Sequence, residues 1–135
     1  MTVTAPMLDA HPTYVPGLDR SKVQVCIDAC AECAQVCIAA AEACLSEHFL
    51  AGFRSSIRAG LDCADVSHAT GRVLSRHIDH PADLTRAVLE ACAVACRTCG
   101  DECAQHADMH GHCRVCAEAC RRCEQACDQL LAAIR

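Results

Sequence analysis

Residues 113–127 read CRVCAEACRRCEQAC, with cysteine at 113, 116, 120, 123 and 127. Steps of three, four, three and four keep these side chains on one side of an α-helix, and Leu130 and Ile134 carry the alternation on. This is the a/d seam of a helix packed in a bundle, with cysteine where leucine is usual. Two other stretches repeat it: Val23, Cys26, Cys30, Cys33, Cys37, Ala40 and Cys44, then Leu89, Cys92, Cys96, Cys99 and Cys103. A further helical stretch holds only Cys63, in an expected seam of Ala59, Cys63, Val66, Thr70 and Val73.

The breaks between seams set the architecture. Residues 1–18 contain Pro6, Pro12, Pro16 and Gly17 and are expected to form an irregular arm, leaving 19–135 as the packed domain. Asp19 or Ser21 is positioned to cap a first helix ending near Glu47, and Gly52 marks the turn before a second over 53–78. Pro81 breaks the chain before a third helix over 82–109, and Gly111 precedes a fourth from His112 to Ile134. Short connections make successive helices antiparallel. The fold class expected is therefore all-α, an antiparallel up-down-up-down four-helix bundle with a cysteine-lined core.

Composition says what fills that core. The chain has 15 cysteines in 135 residues, and its only aromatics are Tyr14, Phe49 and Phe53. A protonated buried thiol packs as a small hydrophobe. Leucine is larger and more stabilising at such positions, so packing alone does not select this many cysteines. The net charge of -5 and the scattered basic residues, with Arg121-Arg122 the one adjacent pair, argue against a nucleic-acid partner. No uninterrupted apolar run reaches the roughly 20 residues that span a bilayer, so no membrane partner is expected. The N-terminus lacks the basic start and apolar stretch of a secretory signal, and a cytoplasmic location with reduced thiols is expected.

Three chemistries compete for the thiols. Cβ atoms three or four residues apart on a helix are about 5–6 Å apart, whereas a disulfide needs roughly 3.5–4.5 Å. Bridges within a helix are thus strained, and only bridges between helices remain open. Zinc and iron–sulfur sites usually draw C-x-x-C pairs from turns. Here Cys30/Cys33, Cys96/Cys99, Cys113/Cys116 and Cys120/Cys123 lie inside helical seams. Four thiolates on Zn²⁺ leave two excess negative charges, and the seams offer no Lys or Arg to offset a stack of such sites. Cu(I) is soft, takes two or three thiolates, and is neutral at one ion per thiolate. Multiple Cu(I) ions per chain, about one per thiol, are expected on that basis.

The antiparallel order also sorts the two ends. Val23, Val73, Leu74, Ile78, Leu84, Val88, Leu89, Leu130, Leu131 and Ile134 gather at one end as an aliphatic plug. His106 and His110 continue the third seam towards the other end, where His112, Met109 and His48 also fall, and Asp62 is a candidate beside Cys63. Imidazole and thioether capture Cu(I) without first losing a thiol proton, so this end is the expected mouth. His11, His68 and His80 are expected in solvent, and His77 buried or at the rim of the plugged end.

The C-x3-C-x2-C-x3-C pattern of the first and third helices resembles the bacterial copper storage proteins, their cytosolic branch in particular. So do the C-x2-C-x3-C-x2-C-x3-C run at 113–127 and the single cysteine of the second helix. The resemblance spans about Lys22 to Ile134. It implies Cu(I) storage and detoxification in the core of a four-helix bundle, assembly as a homotetramer, and copper access at His106, His110 and His112, with Asp62 as a participant. Copper chaperones or low-molecular-weight thiols are the exchange partners expected for such a store. A zinc or mixed-metal thiolate buffer is the alternative. An enzyme ranks last: Cys113 is the only seam cysteine at a helix start, and no phosphate loop or nucleophile–base pair stands out.

Overall fold

In a computed structural model of the chain, residues 2–12, 19–76 and 82–134 are described, and all regular structure among them is helical. The order is α1 (Thr4–Ala10), α2 (Arg20–Leu45), a 3-10 turn (Leu50–Phe53), α3 (Arg54–Leu74), α4 (Ala82–Ala104) and α5 (Gly111–Ile134). Asp19 starts α2: its Oδ1 accepts from the backbone N–H of Ser21 at 3.0 Å and of Lys22 at 3.4 Å, satisfying donors that have no partner inside the helix. Each of the four long helices packs on two others, α2 on α3 and α5, and α4 on α3 and α5. The seams of all four therefore meet in one core.

Fifteen buried thiols occupy the middle of that core. Val23, Leu74, Leu89 and Leu130, each at most 1% exposed, close one end with Leu131. The other members of the expected plug fare differently. Leu84 is exposed, Val73, Val88 and Ile134 are half-buried, and Ile78 lies outside the described residues. His77, His80 and Pro81 lie outside them too.

Three expectations need correction. The arm is not wholly irregular: Thr4–Ala10 is helical and packs on α2, burying Leu8, while Thr4 Oγ1 donates to Asp28 Oδ1 at 2.6 Å. The seam of α3 is Ser56, Gly60, Cys63, Ser67, Thr70 and Leu74, all buried, whereas Ala59, Val66 and Val73 sit at its margin. Hydrophobicity pointed to the wrong stripe because α3 lies so close to α2 that its contact face must be small. A Cβ on Gly60 would sit 3.4 Å from the Cys37 carbonyl oxygen, and one on Gly71 3.3 Å from the Cys30 Cβ. Third, α4 stops at Ala104, and residues 105–109 form hydrogen-bonded turns, with His110 N–H reaching the His106 carbonyl at 3.0 Å. By length and composition α2 is apolar enough to cross a membrane, through its alanine and cysteine content, although Asp28, Glu32 and Glu42 interrupt it. Its Val23–Cys44 seam faces the shared core.

Salt bridges lie on the outside. Arg122 pairs with Glu32 of α2, while Arg121 pairs with Asp101 of α4 at 2.6 Å. The adjacent arginines thus clamp α5 to both of its neighbours, and neither enters the core. Exposed pairs of this kind contribute about 0–1 kcal/mol each.

Candidate metal centre

The a/d positions of four helices converge, so their sulfurs form a column rather than separate sites. At its closed end Cys26 and Cys127 are 3.8 Å apart. Next come Cys30, Cys92, Cys123 and Cys127, four sulfurs all within 4.8 Å of one another. Cys33 follows, touching Cys63 at 3.6 Å, Cys37 at 3.8 Å, and Cys96 and Cys120 at 3.9 Å. Cys37, Cys99, Cys116 and Cys120 make a further group, with Cys37 to Cys120 at 3.7 Å and Cys99 to Cys116 at 3.9 Å. Cys103 is buried beside Cys99 and Cys116. Cys44 and Cys113 complete the series at the open end. Partners on α5 fall in number as those on α2 rise: Cys26 meets Cys127, Cys30 meets Cys123, Cys33 meets Cys120 and Cys37 meets Cys116.

All fifteen thiols are free, and contacts of 3.6–4.0 Å are far longer than the roughly 2.05 Å of an S–S bond. With a metal–thiolate bond of about 2.3 Å, trigonal ligands lie about 4.0 Å apart and tetrahedral ones about 3.8 Å, while linear ligands need about 4.6 Å. The column therefore suits three- or four-coordinate metal with little movement. Charge then decides between metals. No cationic side chain is among the buried residues, and the only buried polar groups described are Ser56, Ser67 and Thr70. A run of neutral Cu(I)–thiolate units is tolerated there, and a run of doubly negative zinc tetrathiolates is not. Ser67 Oγ lies 3.6 Å from Cys92 and 3.7 Å from Cys63, and the buried Ser56 hydroxyl has no partner. The Ser67 hydroxyl is able to donate to either sulfur once that thiol loses its proton.

Hydrogen bonding among the sulfurs divides their acidities. Contact with Cys123 pushes Cys30 and Cys96 up, and contact with Cys116 does the same to Cys120. Cys63, Cys92 and Cys116 are pushed down by the thiols of Cys120, Cys123 and Cys103 respectively. Neighbouring thiols thus favour the thiolate at Cys63, Cys92 and Cys116 and the protonated thiol at Cys30, Cys96 and Cys120.

The open end is built from the end of α2 and the turn after it, the 3-10 turn, the turn after α4 and the start of α5. His112 Nδ1 lies 3.5 Å from Cys113 Sγ and 3.8 Å from Cys44 Sγ, a three-donor group. Burial pushes the Cys113 thiol up to about 12 and raises Cys44 as well. His106 and His110 stand beside it with ring centroids 6.3 Å apart, and His110 is 5.7 Å from His112. Phe53 packs against all three rings, at 4.6 Å from His106, 4.9 Å from His110 and 6.3 Å from His112.

The structure thus brings the fifteen cysteines into one column and gathers the three mouth histidines at its open end. It does not bring Asp62 there. One residue away from Cys63, about 100° round the helix, Asp62 is exposed and lines an outer groove with Glu90, Val94 and Thr98 of α4. His48 and Met109 are likewise exposed, Met109 at 85%. Two members of the mouth were missed in the sequence. Glu47 bridges His110 and His112, and hydrogen bonding from His112 holds its carboxyl below the usual range. Phe53 is the second. The signals were there: Glu47 is the next three-residue step after Cys44, and Phe53 is one of three aromatics in the chain.

Comparison with known proteins agrees with this geometry. Residues 19–132 match the copper storage protein family, Csp. The copper storage protein Ccsp from Streptomyces lividans, in a structure loaded with 10 copper equivalents, is 56% identical and superposes with a TM-score of 0.94, covering 98% of this chain and 99% of that one. The Cu(I)-bound copper storage protein BsCsp3 is 30% identical with a TM-score of 0.72, over 82% of this chain and 98% of its own. The uncharacterized cysteine-rich protein YhjQ of Bacillus subtilis (strain 168) is 32% identical over 95 residues, 70% of this chain and 82% of that protein. The chain belongs to the copper storage protein family.

Proposed function

We propose that the protein is a cytoplasmic Cu(I) store that binds many ions through its core thiolates and has no catalytic role. The observation that carries this reading is the unbroken sulfur column, in which buried thiols touch several others at once and no buried cation balances excess charge. Each entering ion displaces about one thiol proton, so the column stays close to neutral as it fills. Ions arrive at His106, His110 and His112, pass to Cys44 and Cys113, and move inwards by exchange between neighbouring sulfurs.

The pairing of ascending α2 cysteines with descending α5 cysteines supports an antiparallel up-down-up-down arrangement of α2 to α5. Residues 19–135 form the storing unit, and the described part of the arm, residues 2–12, packs on α2 through Leu8 and Thr4. Cytoplasmic placement follows the cytosolic copper storage protein of S. lividans, 60% identical to this chain. Homotetrameric assembly, and exchange with copper chaperones or low-molecular-weight thiols, follow from the family resemblance. Asp62 has no part in capture in this reading, because of its place on the outer groove.

The test is an anaerobic Cu(I) titration of reduced protein against a chromogenic chelator, repeated with zinc as competitor. About one tightly held ion per thiol, undisturbed by zinc, is expected. Saturation at a few ions, with zinc competing well, would instead favour a zinc or mixed-metal thiolate buffer.

A further inference from the structure

We propose that Glu47 is a positioning residue, which sets the tautomers of His110 and His112 and so aims their free ring nitrogens at incoming ions. The inference rests on the copper-store reading, because the ions it concerns are those bound for the column. It starts from one oxygen atom. Glu47 Oε1 is 3.1 Å from His110 Nδ1 and 3.1 Å from His112 Nε2. An ionised carboxylate can only accept, and a neutral imidazole has a single N–H. Both contacts are made together only if His110 carries its proton on Nδ1 and His112 carries its own on Nε2.

The consequence is opposite for the two rings. On His112 the nitrogen left with a lone pair is Nδ1, the atom facing Cys113 Sγ at 3.5 Å and Cys44 Sγ at 3.8 Å. On His110 the free nitrogen is Nε2, at the far edge of the ring. Carboxylate–imidazole pairs of this kind orient metal-binding histidines and raise their basicity as ligands. Here one carboxylate serves two rings, and it comes from the turn that follows α2. Phe53 supports the arrangement sterically. It meets His110 edge-on at 86° and lies 31° from the plane of His106, so the rings are held without a second polar partner being required. The half-buried carboxylate also sits beside the start of α5, where the helix dipole favours negative charge.

Of the two tautomers, Nδ1–H is the one a histidine side chain in water adopts less often, so His110 is the diagnostic ring. The experiment uses ¹⁵N-labelled, reduced, metal-free full-length protein. Long-range ¹H–¹⁵N correlation reads the tautomer of each ring directly. The expected result is Nδ1–H for His110 and Nε2–H for His112. In Glu47→Ala, His110 should revert mainly to Nε2–H, and Cu(I) uptake from a chelated donor should slow about 10-fold with final capacity unchanged. His110 found as Nε2–H in the unaltered protein would overturn the proposal. So would a Glu47→Ala variant with unchanged tautomers and uptake. Failure of the store reading looks different: the unaltered protein would hold only a few ions, whatever its tautomers.

Discussion

The two ends of the sulfur column are made of different chemistry. At the closed end, Val23, Leu74, Leu89 and Leu130 pack with almost no exposure. At the open end, three imidazoles, one phenyl ring and one carboxylate surround Cys44 and Cys113, and His110, His112 and Glu47 keep about a quarter of their side-chain surface exposed. In the proposed store one end holds the helices together in the absence of metal, and the other is the way in for metal. A core of small thiols gives up stabilisation that leucine would supply, so each large aliphatic at the closed end contributes more to the metal-free fold than a thiol does.

That division can be broken from either side. The largest effect is expected from Leu74→Ala at the closed end. Removing a fully buried leucine costs about 2–5 kcal/mol, read as a lower urea midpoint, with the rate of Cu(I) uptake unchanged. Slower uptake in that variant would mean that the two ends are not separate in function. At the open end, replacing His106 and His110 together by alanine should slow uptake about 10-fold without reducing the number of ions finally held. Stopped-flow transfer from a coloured Cu(I) chelator complex gives both quantities.

A pH series sharpens the comparison further. Burial raises the thiol of Cys113 from an ordinary 9.0 to about 12, and raises Cys44 too. Because the folded state holds these protons more tightly than the unfolded chain, their contribution to stability is complete below pH 9 and is lost as pH climbs towards 12. Metal-free protein should accordingly show a falling urea midpoint between pH 9 and pH 11, and copper-loaded protein, its thiol protons already displaced, should not. The smallest effect is expected in the middle of the column. Cys123→Ser, which replaces one sulfur in contact with Cys30 and Cys92, should lower capacity by about one ion and leave the metal-free fold intact. Native mass spectrometry counts the difference.

How much of this was legible in the sequence depends on how each residue signals its place. The three cysteine-rich seams stood out because an apolar residue repeated at helical period, and all fourteen of those cysteines are buried. The seam of α3 was partly misplaced: Cys63 and Thr70 were found, but Ser56, Gly60 and Ser67 are small or polar, and periodicity of hydrophobic residues cannot see them. His106 and His110 were drawn onto a longer helix because their spacing continues the pattern. The chain in fact turns after Ala104 and still gathers both rings, now through hydrogen-bonded turns and Phe53. Glu47 was invisible as a site residue because its role comes from partners 63 and 65 positions away. Asp62 was read towards the mouth from its neighbour Cys63, although adjacent residues on a helix face different directions.

The most direct measurement is diffraction at the copper absorption edge from crystals loaded anaerobically with excess Cu(I). The expected anomalous map has a continuous row of peaks, from the Cys44, Cys113 and His112 group down to Cys26 and Cys127, ending before Leu74 and Leu89. Peaks confined to the histidines, or scattered over surface carboxylates with an empty sulfur column, would contradict a store built from the core.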